Sequence, residues 1–142
     1  MTVVGGLPLP WQIQDAIDNG TWVLPGAPET IERVFTQTAS PGATLYSVRC
    51  MISETEAWAN ESEEQLAYYG GPGADADGYL ILNPQQSVLI GDLGHDMPIA
   101  LDFGLSPDQP RVLYLPSSAP GWIEVAPDVP TFMEILGLGP SR

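Results

Sequence analysis

Apolar positions along the chain change their period near its middle. In the first half they recur every three or four residues. Ile13, Ala16 and Ile17 form one stripe behind Pro10, and Gly20 closes it, which predicts a first helix. Pro28-Glu29 opens a second stripe of Ile31, Val34 and Phe35, which Ser40-Pro41-Gly42 stops. Residues 43–52 alternate imperfectly and predict a strand. Ser53-Glu54-Thr55-Glu56 then has capping-box spacing, in which the serine accepts from an early backbone amide and Glu56 reaches back. Ser62-Glu63-Glu64-Gln65 repeats that spacing. Together these predict a broken helix from Glu54 to about Tyr69, followed by a loop over 70–78.

The second half switches to short apolar segments at about ten-residue spacing, which is the rhythm of an antiparallel sheet. The segments are 78–82, 87–91, 98–103, 111–115 and 122–125. Ile99, Leu101 and Phe103 alternate with Ala100 and Asp102, giving one strand an apolar face. Alternation sends Trp122 and Glu124 to one side and Ile123 and Val125 to the other. Asp128 then caps a terminal helix whose Val129, Phe132, Met133 and Leu136 share a stripe, and Gly137 ends it. Helices first, then strands closed by a helix, define an α+β fold.

Composition makes this one domain spanning residues 1–142, long enough to bury a core without disulfides or metal. The 15 glycines and 15 prolines are scattered as punctuation, with no internal repeat and no linker-like tract. Charge changes the picture more. Eighteen acidic residues face four arginines (Arg33, Arg49, Arg111 and Arg142) and no lysine, for a net charge of −14. Phosphate contacts need many cations, so nucleic acid and anionic membranes are disfavoured as partners. The amino-terminal segment lacks the basic start and apolar run of a signal peptide, and no stretch approaches the ~20 apolar residues of a membrane span. A single cysteine, Cys50, allows no internal disulfide and suits a reducing compartment. A cytoplasmic protein is therefore expected.

Several of these segments fall in a family order. Ile90-Gly91-Asp92-Leu93-Gly94 precedes Pro98-Ile99-Ala100-Leu101-Asp102-Phe103. Pro110-Arg111-Val112-Leu113-Tyr114-Leu115, Trp122-Ile123-Glu124-Val125-Ala126-Pro127 and a last helix bearing Phe132, Leu136, Gly137 and Leu138 follow. A Gly-Asp turn, a strand ending in Leu-Asp plus an aromatic, a Pro-x-Val strand, a Trp-x-x-Val-Ala strand and a Phe-containing helix, over roughly residues 78–138, resemble the SUKH superfamily. Its members include bacterial immunity proteins of polymorphic toxin systems and a fungal cell-wall assembly regulator. The amino-terminal half shares only Leu7-Pro8-Leu9-Pro10 ahead of a helix. The resemblance implies a twisted, mostly antiparallel sheet, here of about five to six strands, with N-terminal helices and a C-terminal helix packed around it. It also implies a non-enzymatic role, the binding and neutralising of a cognate toxin.

Candidate chemistry is sparse. His95, the single histidine, sits in Asp92-Leu93-Gly94-His95-Asp96 with Asp102 nearby, the composition of a divalent-metal or acid–base site. The alternative is a polar hairpin turned at Gly94. Zinc sites take three or four ligands, and no second His or paired Cys supplies them, which favours the hairpin. Asp75-Ala76-Asp77-Gly78 begins like a calcium loop, but Pro84 stands where the closing Glu is needed. Gly70-Gly71-Pro72-Gly73 lacks the lysine of a phosphate loop, and Ser117-Ser118 lacks a nucleophile elbow. Cys50, inside the expected strand, reads as an inert core thiol. No enzyme activity, metal or cofactor is expected.

The acidic clusters carry the functional expectation. Glu54, Glu56, Glu61, Glu63 and Glu64 lie close together in sequence with Trp58, Tyr68 and Tyr69, and Asp75 and Asp77 follow. No cation lies between Arg49 and Arg111. One reading is a solvated face that keeps the chain soluble; the other is a docking surface for a basic partner, with aromatic rings supplying contact area and carboxylates steering the encounter. Trp122, Trp11 and Trp22 are expected to pack inward and Trp58 to stay partly exposed. The leading expectation is an immunity protein for a basic toxin. The alternatives are a regulatory interaction scaffold of the same fold and a metal-dependent enzyme built on Asp92, His95, Asp96 and Asp102.

Overall fold

A computed structural model describes residues 2–37, 39–75, 77–117 and 119–138. Ala76 and Ser118, named above, lie outside them, as does Arg142. A two-stranded hairpin, β1 (Val3–Val4) with β2 (Leu7–Pro8), leads into α1 (Trp11–Asp18), whose Ile13 and Ala16 are buried. Trp11 opens that helix on its outer side and is 72% exposed, so it does not pack the helix down; Trp22, 8% exposed, does. Pro28 starts α2 (Pro28–Phe35), and Ile31 and Phe35 fill the core beneath it.

The segment 43–52 is not one strand. Pairing stops after β3 (Thr44–Leu45), and Ser47 accepts a hydrogen bond from the Cys50 amide at 3.2 Å to start α3 (Val48–Ala59). The physical reason lies in the spacing of Val48, Met51, Thr55 and Trp58, which share a face only at helical pitch. Met51, Thr55 and Trp58 are buried there. Ser53 is thus mid-helix, and the first expected capping box does not form. At the second, the N-cap half is present: Ser62 accepts from the Gln65 amide at 3.2 Å and opens α4 (Glu63–Tyr68). Cys50 accordingly sits half-buried on the first turn of α3 rather than in a strand.

Residues 78–82 contribute a single bridge, Leu80 with Trp122, instead of a strand. After a 3-10 turn (Pro84–Gln86), the chain forms β4 (Ser87–Asp92), β5 (Pro98–Asp102), β6 (Arg111–Tyr114) and β7 (Ile123–Ala126), then α5 (Val129–Leu136). The main sheet is antiparallel, in the order β3-β4-β5-β6-β7. The fold is therefore α+β, with five helices and a five-stranded antiparallel sheet among the described residues.

Consecutive residues of β4 and β5 are buried, so both faces of the sheet are covered. α3 packs on β4; α5 packs on β6 and β7 and gathers α1 and α2. Phe35 stands edge-on to Tyr114 at 5.3 Å and to Phe132 at 6.3 Å, joining α2, β6 and α5. The register shifts twice, between Leu89 and Gly91 of β4 and between Ala126 and Glu124 of β7. At the first, Ile90 offers its carbonyl to the Tyr46 amide at 2.9 Å, which ties the β3–α3 corner to β4. The second interrupts the alternation expected around Trp122, which is buried while Glu124 is exposed.

Candidate functional site

Where α3 crosses the end of β4, the fold leaves an open cleft of about 580 Å³. Its deeper wall is aromatic. The Trp58 and Trp122 rings lie 6.2 Å apart. Each indole has spent its N–H: Trp58 Nε1 donates to Ser87 Oγ at 3.0 Å, and Trp122 Nε1 donates to the Tyr69 carbonyl at 2.9 Å. Trp58 is only 6% exposed, contrary to the expectation from sequence; the earlier start of α3 turns it inward. It reaches the cleft as floor, not as a projecting ring.

Carboxylates line the same cleft: Glu54 on α3, Glu61 just after it, Asp92 at the end of β4 and Asp96 in the β4–β5 hairpin. Two are set by tyrosines. Tyr46 donates to Asp92 Oδ2 at 2.7 Å, and Asp92 Oδ1 accepts from the Gly94 amide at 3.0 Å. Tyr69 donates to Asp96 Oδ1 at 3.1 Å. Burial, first, then the Asp92 carboxylate and the charge of Glu54 push the Tyr46 phenol far above its ordinary value. The Tyr69 phenol is raised in the same way, by burial, then Asp96 and more weakly Glu61. Both phenols stay protonated near neutral pH and act as donors. Among the described residues no ion pair reaches Glu54, Glu61 or Asp92.

A second, smaller hollow of about 360 Å³ adjoins the first, and Tyr69 and Asp96 line both. Tyr68 and Asp75 border it, and Tyr68 and Tyr69 meet edge-on at 4.9 Å. Of the residues expected to bind a partner, Glu54, Trp58, Glu61 and Tyr69 come together in the larger cleft, and Tyr68, Tyr69 and Asp75 in the smaller. Glu56, Glu63, Glu64 and Asp77 are exposed and line neither. Tyr46 and Asp92 complete the site without having been expected as partner-binding residues. Asp92 carried a signal in the polar hairpin sequence, whereas Tyr46, at a strand-to-helix corner, carried none.

The possible metal set does not converge. His95 is exposed and approaches Asp96 at 3.2 Å, whereas Asp102 lies beneath Arg111, 2.8 Å from its Nε. Among the described residues no group of three or more His, Cys, Asp or Glu is arranged to hold a metal ion. Ser117 is exposed, its backbone amide donating to Gln37 at 3.1 Å. The Cys50 thiol is pushed up by burial and then by the charges of Glu54 and Asp92, which disfavours the nucleophilic thiolate. No described helix is long and apolar enough to cross a membrane. The chain matches no family model, no curated protein and no solved structure.

Proposed function

We propose that this protein is a SUKH-like immunity protein that binds and neutralises a basic protein toxin in the cytoplasm, by stoichiometric occlusion and without chemistry of its own. The observation that carries this reading is the cleft beside α3, where four carboxylates stand over an aromatic floor in a chain of net charge −14. Carboxylates held close together without cations repel one another, and a basic surface docking on them relieves that repulsion. Their field also accelerates encounter with a cationic partner, and the exposed Tyr68 ring beside the adjoining hollow supplies contact area that charge alone does not. The resemblance of residues 78–138 to immunity proteins supports the same role.

Co-expression with each toxin domain encoded in the source genome tests the proposal. One toxin should lose its effect on growth and co-purify with this chain at fixed stoichiometry. Absence of both protection and complex across the whole set would overturn it.

A further inference from the structure

We infer that the smaller hollow, beside Tyr68 and Tyr69, receives a short extended segment of the partner that carries prolines followed by one basic residue. This rests on the binding role proposed above and names the segment that docks. The hollow, of about 360 Å³, is lined chiefly by rings and short apolar side chains, among them Ala67, Tyr68, Tyr69, Pro116, Ala119 and Pro120. Tyr68 closes α4 and is 69% exposed, so most of its side chain is open to an occupant. Tyr69 meets it edge-on, with an interplanar angle of 89°, and the two rings form a right-angled corner.

That corner is built before anything docks. The Tyr69 carbonyl accepts from Trp122 Nε1 at 2.9 Å and its hydroxyl donates to Asp96 at 3.1 Å, which fixes the residue at both ends. In the segment after β6, the Leu115 amide donates to the Pro98 carbonyl at 3.0 Å and the Ser117 amide to Gln37 Oε1 at 3.1 Å, which holds Pro116 between them.

The walls select the backbone of the occupant. A segment already extended as polyproline II when free loses little entropy on docking, so it can bind a small open surface that a flexible chain cannot. Proline brings no N–H, so none is stranded against rings and other prolines. Its carbonyl still needs a donor, and the Tyr68 hydroxyl makes no hydrogen bond among the described residues. Charge selects the residue that follows. Asp75 and Asp96 line the hollow, and no Lys or Arg lines it or the cleft it adjoins. Asp75 makes no ion pair among the described residues, whereas Asp96 holds the Tyr69 hydroxyl and lies 3.2 Å from the exposed His95. A cation that leaves the prolines on the Asp96 side also enters the field of Glu54, Glu61 and Asp92.

The test titrates the protein with acetyl-Pro-Pro-Ala-Pro-Pro-Arg-amide and follows the backbone amide resonances. Those of Ala67, Tyr68, Tyr69 and Ala119 should shift saturably, while that of Trp11, on α1 and outside both hollows, should not. Acetyl-Ala-Ala-Ala-Ala-Ala-Arg-amide, of the same charge, should bind about tenfold more weakly. Citrulline in place of the arginine should cost about threefold. Tyr68→Ala should weaken binding about tenfold and Asp75→Asn about threefold. Tyr79→Ala, which removes an exposed ring that lines neither hollow, should leave it within about twofold. All three residues are exposed, so the urea midpoints should stay close to that of the parent.

Equal binding of the alanine peptide, undiminished binding by Tyr68→Ala, or shifts confined to the larger cleft would each overturn the assignment. So would shifts of the same four amides on raising the protein concentration without peptide, which would give the hollow to a second copy of this chain. A toxin complex whose affinity is unchanged by Tyr68→Ala would remove the proline site and leave the immunity role standing. Saturable, proline-dependent binding without protection against any toxin would do the reverse.

Discussion

The indole N–H of Trp58 bonds the hydroxyl of Ser87 at 3.0 Å, and the pair joins the last turns of α3 to the first residue of β4. Both groups are buried, so each is the other's replacement for water. Ser87→Ala leaves the indole donor without a partner and is expected to cost about 1–3 kcal/mol. The midpoint of urea unfolding should fall with little change in slope. A midpoint equal to that of the parent would mean that the bond is exchanged for water at no cost.

Gly70 has a left-handed backbone, φ +78°, and a Cβ placed there would lie 2.7 Å from Trp122 Cδ1 and 2.8 Å from its Nε1. Gly70→Ala combines an unfavourable conformation with a clash against a ring fixed by its own hydrogen bond. The expected loss is at least about 2 kcal/mol. Gly73, also left-handed at φ +90° but with its nearest such contact at 3.7 Å, is the comparison: alanine there should cost less in the same unfolding assay.

Asp102 is 5% exposed and holds two donors, Arg111 Nε at 2.8 Å and the Gly104 amide at 2.8 Å. Asp102→Ala strands both, and a loss of about 3 kcal/mol is expected in calorimetric or denaturant unfolding. Asp102→Asn keeps an acceptor for Gly104 and should cost less. Arg111 retains only the more distant, exposed Glu124 at 3.7 Å, which is too weakly placed to compensate.

Asp128 caps α5, accepting from the Thr131 amide at 2.8 Å. Hydrogen bonds from the Thr131 side chain and then its backbone hold the carboxyl below its ordinary value. A depressed folded-state pKa means that the unfolded chain binds the proton first as the solution is acidified. The stabilisation is therefore complete above about pH 4 and disappears as pH falls through the folded-state value. Asp128→Ala should cost about 1 kcal/mol at neutral pH. The gap between parent and variant, measured by urea unfolding, should narrow on acidification; a gap that widens would contradict the cap's charge.

Helices with strong punctuation were readable in advance. α1, α2 and α5 each combine a stripe with Pro or Asp at the start, and α5 ends at Gly137 with φ +73°. β4, β5 and β6 fall within a residue of their expected bounds for the same reason: short apolar runs between turn residues. The segment 43–52 was ambiguous because its apolar residues satisfy two periods, and Ser47 decides between them only once β3 has paired with β4. That choice also moves Trp58 from an expected outer position to the floor of the cleft. The site itself was half legible. Glu54, Trp58, Glu61 and Tyr69 are near one another in sequence, but Tyr46 and Asp92 meet only through the pairing of Leu45 with Gly91.

The main sheet ends in very little free strand. β3 is two residues long, and the outer side of the other margin begins at Trp122, already paired with Leu80. A sister molecule finds only short edges, the two residues of β3 and the four of β7, on which to add a further strand. Short margins of this kind disfavour growth from edge to edge, so the protein is expected to stay dispersed when concentrated.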